Sequence, residues 1–548
     1  MKLAYAQMKV LAGQPDLNTK KILKFIDEAR IQGADVVIFP EMVISGQMLG
    51  ETWCEESFLR ECEACGEEII TSSEKITVIF GNVAFDLEQN KIYDGLFTAR
   101  DRDKIVFPKA SWIMSDVDCG ENICRTLFKF TPGNFSGDYD LSVKFSSAPF
   151  TLDKKITADE INCPVIEIGG VGVQNTGKTL YTFDGGSKVY NSRGEIVQFA
   201  GPFTECLNFI ELDEIDNMPA LEMPEVSEIE KIYLAIHYGV KEFLSQIGMK
   251  KVVIGVSGGI DSAVAAALYV QVVGAENVYL VNMPSKFNSD TTKNLSEQLA
   301  KNLGCKYFVV PIQESVDWTV KQLEERGIEV SSFVKENIQA RDRSSRILAA
   351  IAASIGGVFT CNANKAETTV GYATLYGDEA GFLSALADLW KFQVYALANY
   401  MNEKIYKREV IPQGIIDIVP SAELSTAQNV DEGKGDPLKY PYHDYLFRAF
   451  VEENLTPEDI LNFYVAGELE TEIGCAEGLV EKYFPTTRAF IEDLERWWRQ
   501  FMGIGVAKRI QSPPILAVTN HPYGARLESQ NGVHFTKKYL ELKNKLLG

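Results

Sequence analysis

The sequence predicts an α/β protein in two parts: a layered α/β sandwich, then a doubly wound parallel sheet. Three observations lead there. The first two hundred residues hold short apolar, strand-like segments interleaved with one or two helical patterns. From residue 250 onward, short apolar runs alternate with helical runs. Between them lies an acidic stretch beginning at Leu212 (LDEIDNMPALEMPEV), in which Pro219 and Pro224 mark a linker. The expected boundaries are residues 1–212, a linker at 213–227, and residues 228–548.

Composition narrows the function. The chain has 548 residues, 46% hydrophobic and 24% charged, which are globular values with room for two cores. A net charge of −22 argues against nucleic-acid or anionic-membrane partners. It leaves open a small anionic nucleotide held at a local site. The longest apolar run, residues 347–359, is too short to span a bilayer. The N-terminus enters strand-like sequence directly, and ten cysteines are scattered without a framework. A reduced, cytoplasmic protein is expected. One CxxC (Cys62, Cys65) has no second pair, and His237, His443, His521 and His534 form no metal motif.

In the first part, residues 2–10 read as a strand. Residues 18–29 follow with Ile22, Phe25, Ile26 and Ala29 on one face, predicting a helix capped near Asn18 and stopped at Gly33. Residues 34–40 (ADVVIFP) read as a second strand ending at Glu41. Further strands are expected at 75–83, 92–99, 141–146, 164–173 and 180–183.

Three segments here, FPEMVISG (39–46), SSAPF (146–150) and FDGGS (183–187), resemble the nitrilase-like glutamine amidohydrolase domain. That family uses a Glu, a Lys and a Cys. The resemblance implies that Glu41, and Lys109 in VFPKASW, stand at the first two positions. A carboxylate takes the thiol proton there, and the ammonium steadies the oxyanion. The nucleophile is missing from its expected text. FTPGNF (130–135) resembles the loop before the cysteine strand, yet runs almost directly into residues 140–145. The text between Lys109 and Ser146 reads as too short for the missing strand and its helix, and residues 150–164 also read as trimmed. Cys163, before a proline, reads as packing. We expect a structural domain that has lost its thiol. The alternatives are an active glutaminase using Cys119 or Cys124, and an unrelated α/β domain.

In the second part, residues 228–247 carry Ile232, Ile236, Val240, Phe243, Leu244 and Ile247 at helical spacing. Then comes KVVIGVSGGIDS (251–262). An apolar run too short for a helix is broken by Ser257, Gly258 and Gly259, and residues 263–270 read as helix. A strand, a small-residue turn and a helix N-terminus together suit a phosphate. Ser257 and Ser262 add hydroxyls, and Asp261 places a carboxylate where magnesium shared with phosphates would sit. No Gly-Lys-Ser/Thr closes the loop, so it is not a Walker A motif. Strands are expected at 277–285, 306–311 and 358–361, with a helix at 291–303. Residues 347–359 read as core helix.

SGGIDS resembles the pyrophosphate loop of the N-type ATP pyrophosphatases. MPS (283–285), ENIQAR (336–341), NKAE (364–367), GYATLYGD (371–378) and PSAEL (420–424), in that order, resemble the NAD⁺ synthetase family in its nitrilase-fused version. The resemblance implies ATP as co-substrate with Mg²⁺, adenylylation of deamido-NAD⁺ on its nicotinate carboxylate, and displacement of AMP by ammonia. It implies ATP contacts from Ser257, Gly258, Gly259, Ile260, Asp261, Ser262, Lys391 (in ADLWKF) and Ser421. Asn362 would be a further, looser one. Magnesium would rest on Asp261 and Glu367. Asn337, Arg341, Glu367, Lys508 and Arg509 would meet deamido-NAD⁺. The resemblance also implies a homo-oligomer.

The chemistry accords with that set. A carboxylate resists amines until its oxygen becomes a leaving group, and bringing two anions together needs positive charge. The acyl adenylate must then be kept from water, and residues 372–383 and 425–440 are the candidate closing segments. The nitrogen donor is expected to be free ammonia if the first part has no thiol. The alternatives are a glutamine-hydrolysing synthase, or another adenylylating enzyme of the same loop type. A tRNA-thiolating activity fits poorly with the negative charge. A non-catalytic scaffold fits poorly with an intact SGGIDS and NKAE.

Overall fold

The computed structural model describes residues 1–86, 91–120, 122–131, 137–154, 162–524 and 532–548. It divides into two compact units. The first comprises Met1–Thr176 and Leu180–Ser227, and the second Gly177–Thr179 and Glu228–Gly548.

Two six-stranded sheets form the first unit. One runs in the order Cys206–Glu211, Lys2–Gln7, Val36–Ile38, Thr77–Asp86, Lys91–Arg100, Asp103–Pro108. The other runs Ile196–Phe199, Lys188–Tyr190, Val165–Ile168, Leu141–Phe145, Ile123–Lys129, Trp112–Asp118. Strand alternation explains the layering. Leu3 and Tyr5 join the core that also holds Val143, Ile166 and Val189. Ala4 and Ala6 turn the other way, onto helices Pro15–Ile31 and Glu56–Thr71.

Several expectations change here. The first helix begins at Pro15, where a proline suits the opening turn. Asn18 is therefore inside the helix and does not cap it. Its buried amide accepts from Leu11 N–H (2.9 Å) and donates to Ile44 C=O (2.8 Å). The single strand expected at 164–173 is two, split at Gly169–Gly170. A Cβ on Gly169 would lie 2.7 Å from the Gly185 carbonyl, so only glycine permits that approach.

Strands Asp103–Pro108, Trp112–Asp118 and Ile123–Lys129 had no clear sequence signal. They lie toward sheet edges, and their charges break the apolar pattern. Ile123–Lys129 pairs in parallel with Leu141–Phe145, so the stretch before residue 141 does hold a strand. Pro132–Phe135 of FTPGNF, and residues 155–161, lie outside the described residues.

The second unit centres on a four-stranded parallel sheet in the order Lys306–Val309, Val278–Asn282, Val252–Gly255, Val358–Phe359. Helix Ile260–Val273 leaves its strand across the glycine turn, and nine of its residues are buried. Helix Glu228–Gln246 turns Ile232, Ile236, Val240 and Leu244 inward. Helix Asp290–Leu303 starts at Ser289, whose hydroxyl accepts from Thr292 N–H (3.1 Å). The apolar run from 347 is not one helix. Helix Ala349–Ile355 ends at Gly356 (φ +63°), and Val358–Phe359 then enters the sheet. Two adjacent glycines decide this, because the first takes a left-handed cap. A helical lobe completes the unit around Tyr442, Phe447, Leu494 and Trp497. Among the described residues, no helix is long and apolar enough to cross a membrane.

Candidate functional site

Strand Val252–Gly255 points its C-terminal end at the turn Ser257–Gly259, as parallel sheets place their ligand sites. Gly258 has φ +89°, and a Cβ there would meet the Thr292 carbonyl at 2.4 Å. The turn is tied by its own serines. Gly259 N–H donates to Ser257 Oγ (3.2 Å), and Ser262 Oγ donates to the Gly259 carbonyl (3.0 Å). Gly258→Ala is expected to cut kcat/KM for ATP about a hundredfold, because a misplaced phosphate cradle loses pre-organised contacts. Steady-state kinetics with ATP varied checks this, and an unchanged value contradicts it.

Asp261 follows in the first turn of the helix. Lys391 Nζ donates to Asp261 Oδ2 (2.5 Å) and lies 3.5 Å from Glu367 Oε1. Asn364 Nδ2 donates to Asp261 Oδ1 (3.1 Å), and Tyr440 Oη donates to Glu367 Oε1 (3.1 Å). Glu367 closes a capping box with Asn364 at the start of helix Lys365–Val370. Its helix-capping and site roles therefore coexist. Burial pushes the Glu367 carboxyl up to about 7; Lys391 opposes this, while Asp261 and Asp436 add to it. Burial works against the charge of Lys391 too, but Asp261 and Glu367 outweigh it and hold the lysine charged.

Two cavities meet at this cluster. One, of about 240 Å³, is lined by Val256, Asn282, Met283, Arg343, Thr360 and Asn362, among others. The other, of about 160 Å³, is lined by Gly258, Gly259, Ile260, Lys391, Ser421 and Asp436, among others. Ser257, Asp261, Glu367 and Asp378 line both, while Ser262 lines the first. Of the closing segments, Tyr372 and Asp378 line the second cavity from one, and Val430 and Asp436 from the other. Two carboxylates sharing one ammonium form a donor set that fits magnesium, a hard cation preferring oxygen.

Other expected residues fall elsewhere. Asn337 and Arg341 line neither cavity. Asn337 Nδ2 donates to the Phe333 carbonyl (2.8 Å), and Arg341 Nε to the Leu375 carbonyl (3.1 Å). Lys508 and Arg509, on helix Ile504–Gln511, also line neither cavity. Lys508 Nζ donates to the carbonyls of Gly371 (2.7 Å) and Ala373 (2.5 Å). Arg509, buried, donates to those of Thr369 (2.5 Å) and Phe501 (3.0 Å). Here the basic pair secures the end of helix Lys365–Val370, because its unpaired carbonyls need donors.

Sequence reading missed Arg343, which donates to the Met283 carbonyl (3.0 Å) and Asn288 Oδ1 (3.1 Å) and which burial lowers to about 10. It also missed Asp436 and Tyr440. No motif marked them, and only folding brings them to the cluster.

Glu379 was missed as well. Burial, then Asp378, push it up to about 7, against the pull of Lys508, Lys178 and Arg509. The folded protein thus keeps a proton that the unfolded chain sheds near its ordinary value of 4.5. Relative to a neutral isostere, wild type loses stability as pH rises from about 4.5 through 7. Glu379→Gln is expected to be the more stable protein by about 2 kcal/mol at pH 8, the gap closing by pH 5. Thermal melts in ammonium-free buffer at the two pH values check this. A gap independent of pH contradicts it.

In the first unit, Lys109 Nζ pairs closely with Glu41 and lies 3.7 Å from Asp94. The ring of Phe130 lies 5.9 Å from the same ammonium and stacks on Phe145 at 5.0 Å. No cysteine lines the cavity beside Glu41. That cavity is about 20 Å³, bounded by Pro40, Gln47, Ser146, Ser147 and Gln174, among others. This is room for roughly one water. Cys119 and Cys124 are buried instead in the core between the sheets, and burial raises both thiols, Cys119 to about 12. Neither lines the cavity beside Glu41, and burial disfavours the thiolate where they sit. Cys163 is likewise buried and raised to about 12.

A sequence profile of the family described as NAD synthase matches residues 232–473. The glutamine-dependent NAD(+) synthetase of Synechocystis is 30% identical over 519 residues, spanning 84% of this chain and 90% of that one. The enzyme of that name from Aquifex aeolicus is 28% identical over 530 residues, with 84% and 91% covered. A crystal structure of a glutamine-dependent NAD(+) synthetase from Cytophaga hutchinsonii has the same fold (TM-score 0.79, 15% identity, 100% and 99% covered). So has the solved structure of a glutamine-dependent NAD⁺ synthetase from Acinetobacter baumannii in complex with ADP (TM-score 0.67, 21% identity, 96% and 98% covered). With the match running through both parts of the molecule, the chain belongs to the NAD⁺ synthetase family.

Proposed function

We propose that this protein makes NAD⁺ from deamido-NAD⁺, ATP and free ammonia, releasing AMP and pyrophosphate. One observation carries the reading: Asp261, Glu367 and Lys391 converge where two cavities meet above the glycine turn. The turn's N–H groups and Ser257 hold the β- and γ-phosphates, with the start of helix Ile260–Val273 adding its dipole. Ser421 lines the same cavity. The larger cavity, with Asn362 on its wall, takes the nucleoside.

Asp261 and Glu367 would hold magnesium. When bound, the ion neutralises charge on the phosphates and the attacking carboxylate. Lys391 adds a fixed positive charge from a buried position, where it acts strongly. The nicotinate oxygen attacks the α-phosphorus and pyrophosphate leaves. Ammonia then attacks the carbonyl carbon, and AMP departs. Tyr372 and Asp436 bring the closing segments onto the cavity, which shields the mixed anhydride from water. Asn337 and Arg341, on helix Ser332–Arg341, and Lys508 and Arg509, on helix Ile504–Gln511, would meet the part of deamido-NAD⁺ that extends beyond the two cavities.

Product analysis tests the reading. With deamido-NAD⁺, Mg·ATP and ammonium chloride, NAD⁺, AMP and pyrophosphate should appear in equal amounts. Formation of ADP and phosphate, or no deamido-NAD⁺-dependent pyrophosphate, would refute it.

A further inference from the structure

Glu379 stands apart from the cluster just described. It is 3% exposed, and neither carboxylate oxygen has a hydrogen-bond donor among the described residues. Such an orphan is costly inside a protein and calls for an explanation. Three cations lie within electrostatic reach: Lys508, Lys178 and Arg509. Their N–H groups serve carbonyls. Lys508 donates to Gly371 and Ala373, Arg509 to Thr369 and Phe501, and Lys178 to Ser512 and Pro513.

A second orphan is close by. Ser384, 1% exposed, has only the weak Cys361 thiol as a hydrogen-bonding neighbour for its hydroxyl among the described residues. Its backbone bridges to Cys361, whose thiol feels both the Ser384 hydroxyl and the charge of Glu379. Gly381 seats the loop against this strand end: a Cβ there would lie 2.5 Å from Cys361 N. Asp378, the preceding residue, lines both cavities of the reaction site. The orphans are thus buried just behind the wall of the chamber.

A guest suited to this place carries positive charge and several N–H donors. We propose that Glu379 and Ser384 hold the ammonium ion that supplies the amide nitrogen, and that Glu379 takes one of its protons. The proposal rests on the ammonia-using reading given above. One N–H bond breaks, its electron pair stays on nitrogen, and an O–H bond forms on Glu379. The freed ammonia passes Asp378 and attacks the acyl adenylate. A C–N bond forms, the C–O bond to AMP breaks, and the surplus proton leaves with solvent.

The test separates nitrogen use from adenylylation. Glu379→Gln keeps the volume and removes the charge. Its KM for ammonium should rise about tenfold, one charge-assisted hydrogen bond's worth. Deamido-NAD⁺-dependent ATP–pyrophosphate exchange, measured without ammonium, should stay within roughly twofold of wild type. Ser384→Ala should raise the ammonium KM about threefold with the same exchange rate, one neutral hydrogen bond's worth. If Glu379→Gln does not fold, Ser384→Ala decides alone. An unchanged ammonium KM overturns the proposal, as expected of a site holding only water. So does a parallel loss of exchange, the mark of a packing role. If wild type makes NAD⁺ from glutamine in ammonium-free buffer as fast as from ammonium, the donor reading fails instead, whatever the variants do.

Discussion

Asp261→Asn will lower deamido-NAD⁺-dependent ATP–pyrophosphate exchange by about a thousandfold, some 4 kcal/mol of transition-state stabilisation. The aspartate does two things at one point. It holds the Lys391 ammonium at 2.5 Å, and it offers the oxygen that, with Glu367, would carry magnesium. Asparagine keeps the shape and the contact with Asn364, so folding should survive. The charge that seats the cation is lost. Raising magnesium should restore part of the rate, since the remaining carboxylate still binds the ion weakly. The measurement is exchange of labelled pyrophosphate into ATP, with circular dichroism as a check on folding. A loss under tenfold, insensitive to magnesium, would mean that Asp261 is a structural partner of Lys391 and nothing more.

Glutamine will support NAD⁺ formation at less than about one hundredth of the ammonium rate, in buffer freed of ammonia, because an amide needs a thiolate or its equivalent to be split. Glu41 and Lys109 still face each other, but Phe130 lies against the lysine and the adjoining cavity has room for about one water. All ten cysteines are among the described residues, and none lines that cavity. Glu41→Gln should therefore leave ammonium-dependent synthesis unchanged. A coupled assay of glutamate release and NAD⁺ formation decides the matter. Stoichiometric glutamate with a matching NAD⁺ rate would show that another group opens glutamine.

Much of the site was legible because it is local. SGGIDS encodes its own geometry: an apolar run that must be buried, two glycines that permit a left-handed turn, and a helix start bearing Asp261. NKAE was equally readable, since Asn364 and Glu367 complete a capping box three residues apart. Residues whose role depends on distance in sequence were harder. Lys508 and Arg509 read as substrate contacts; folding also brings Lys508 to the Gly371 carbonyl, 137 residues away, and Arg509 to that of Thr369, 140 residues away, beside its nearby bond to Phe501. The strands from 103 to 129 were obscured because half-exposed edges admit charge, which erases the apolar signal.

By itself the sequence determined the two-part α/β plan and the phosphate turn, both of which depend on neighbours in the chain. Tertiary structure alone decided which carboxylates share Lys391, which cysteines are sealed in a core, and which polar atoms are left without donors. Those are matters of long-range packing. Burial and charge at such points are set by segments that the chain brings together only when it folds.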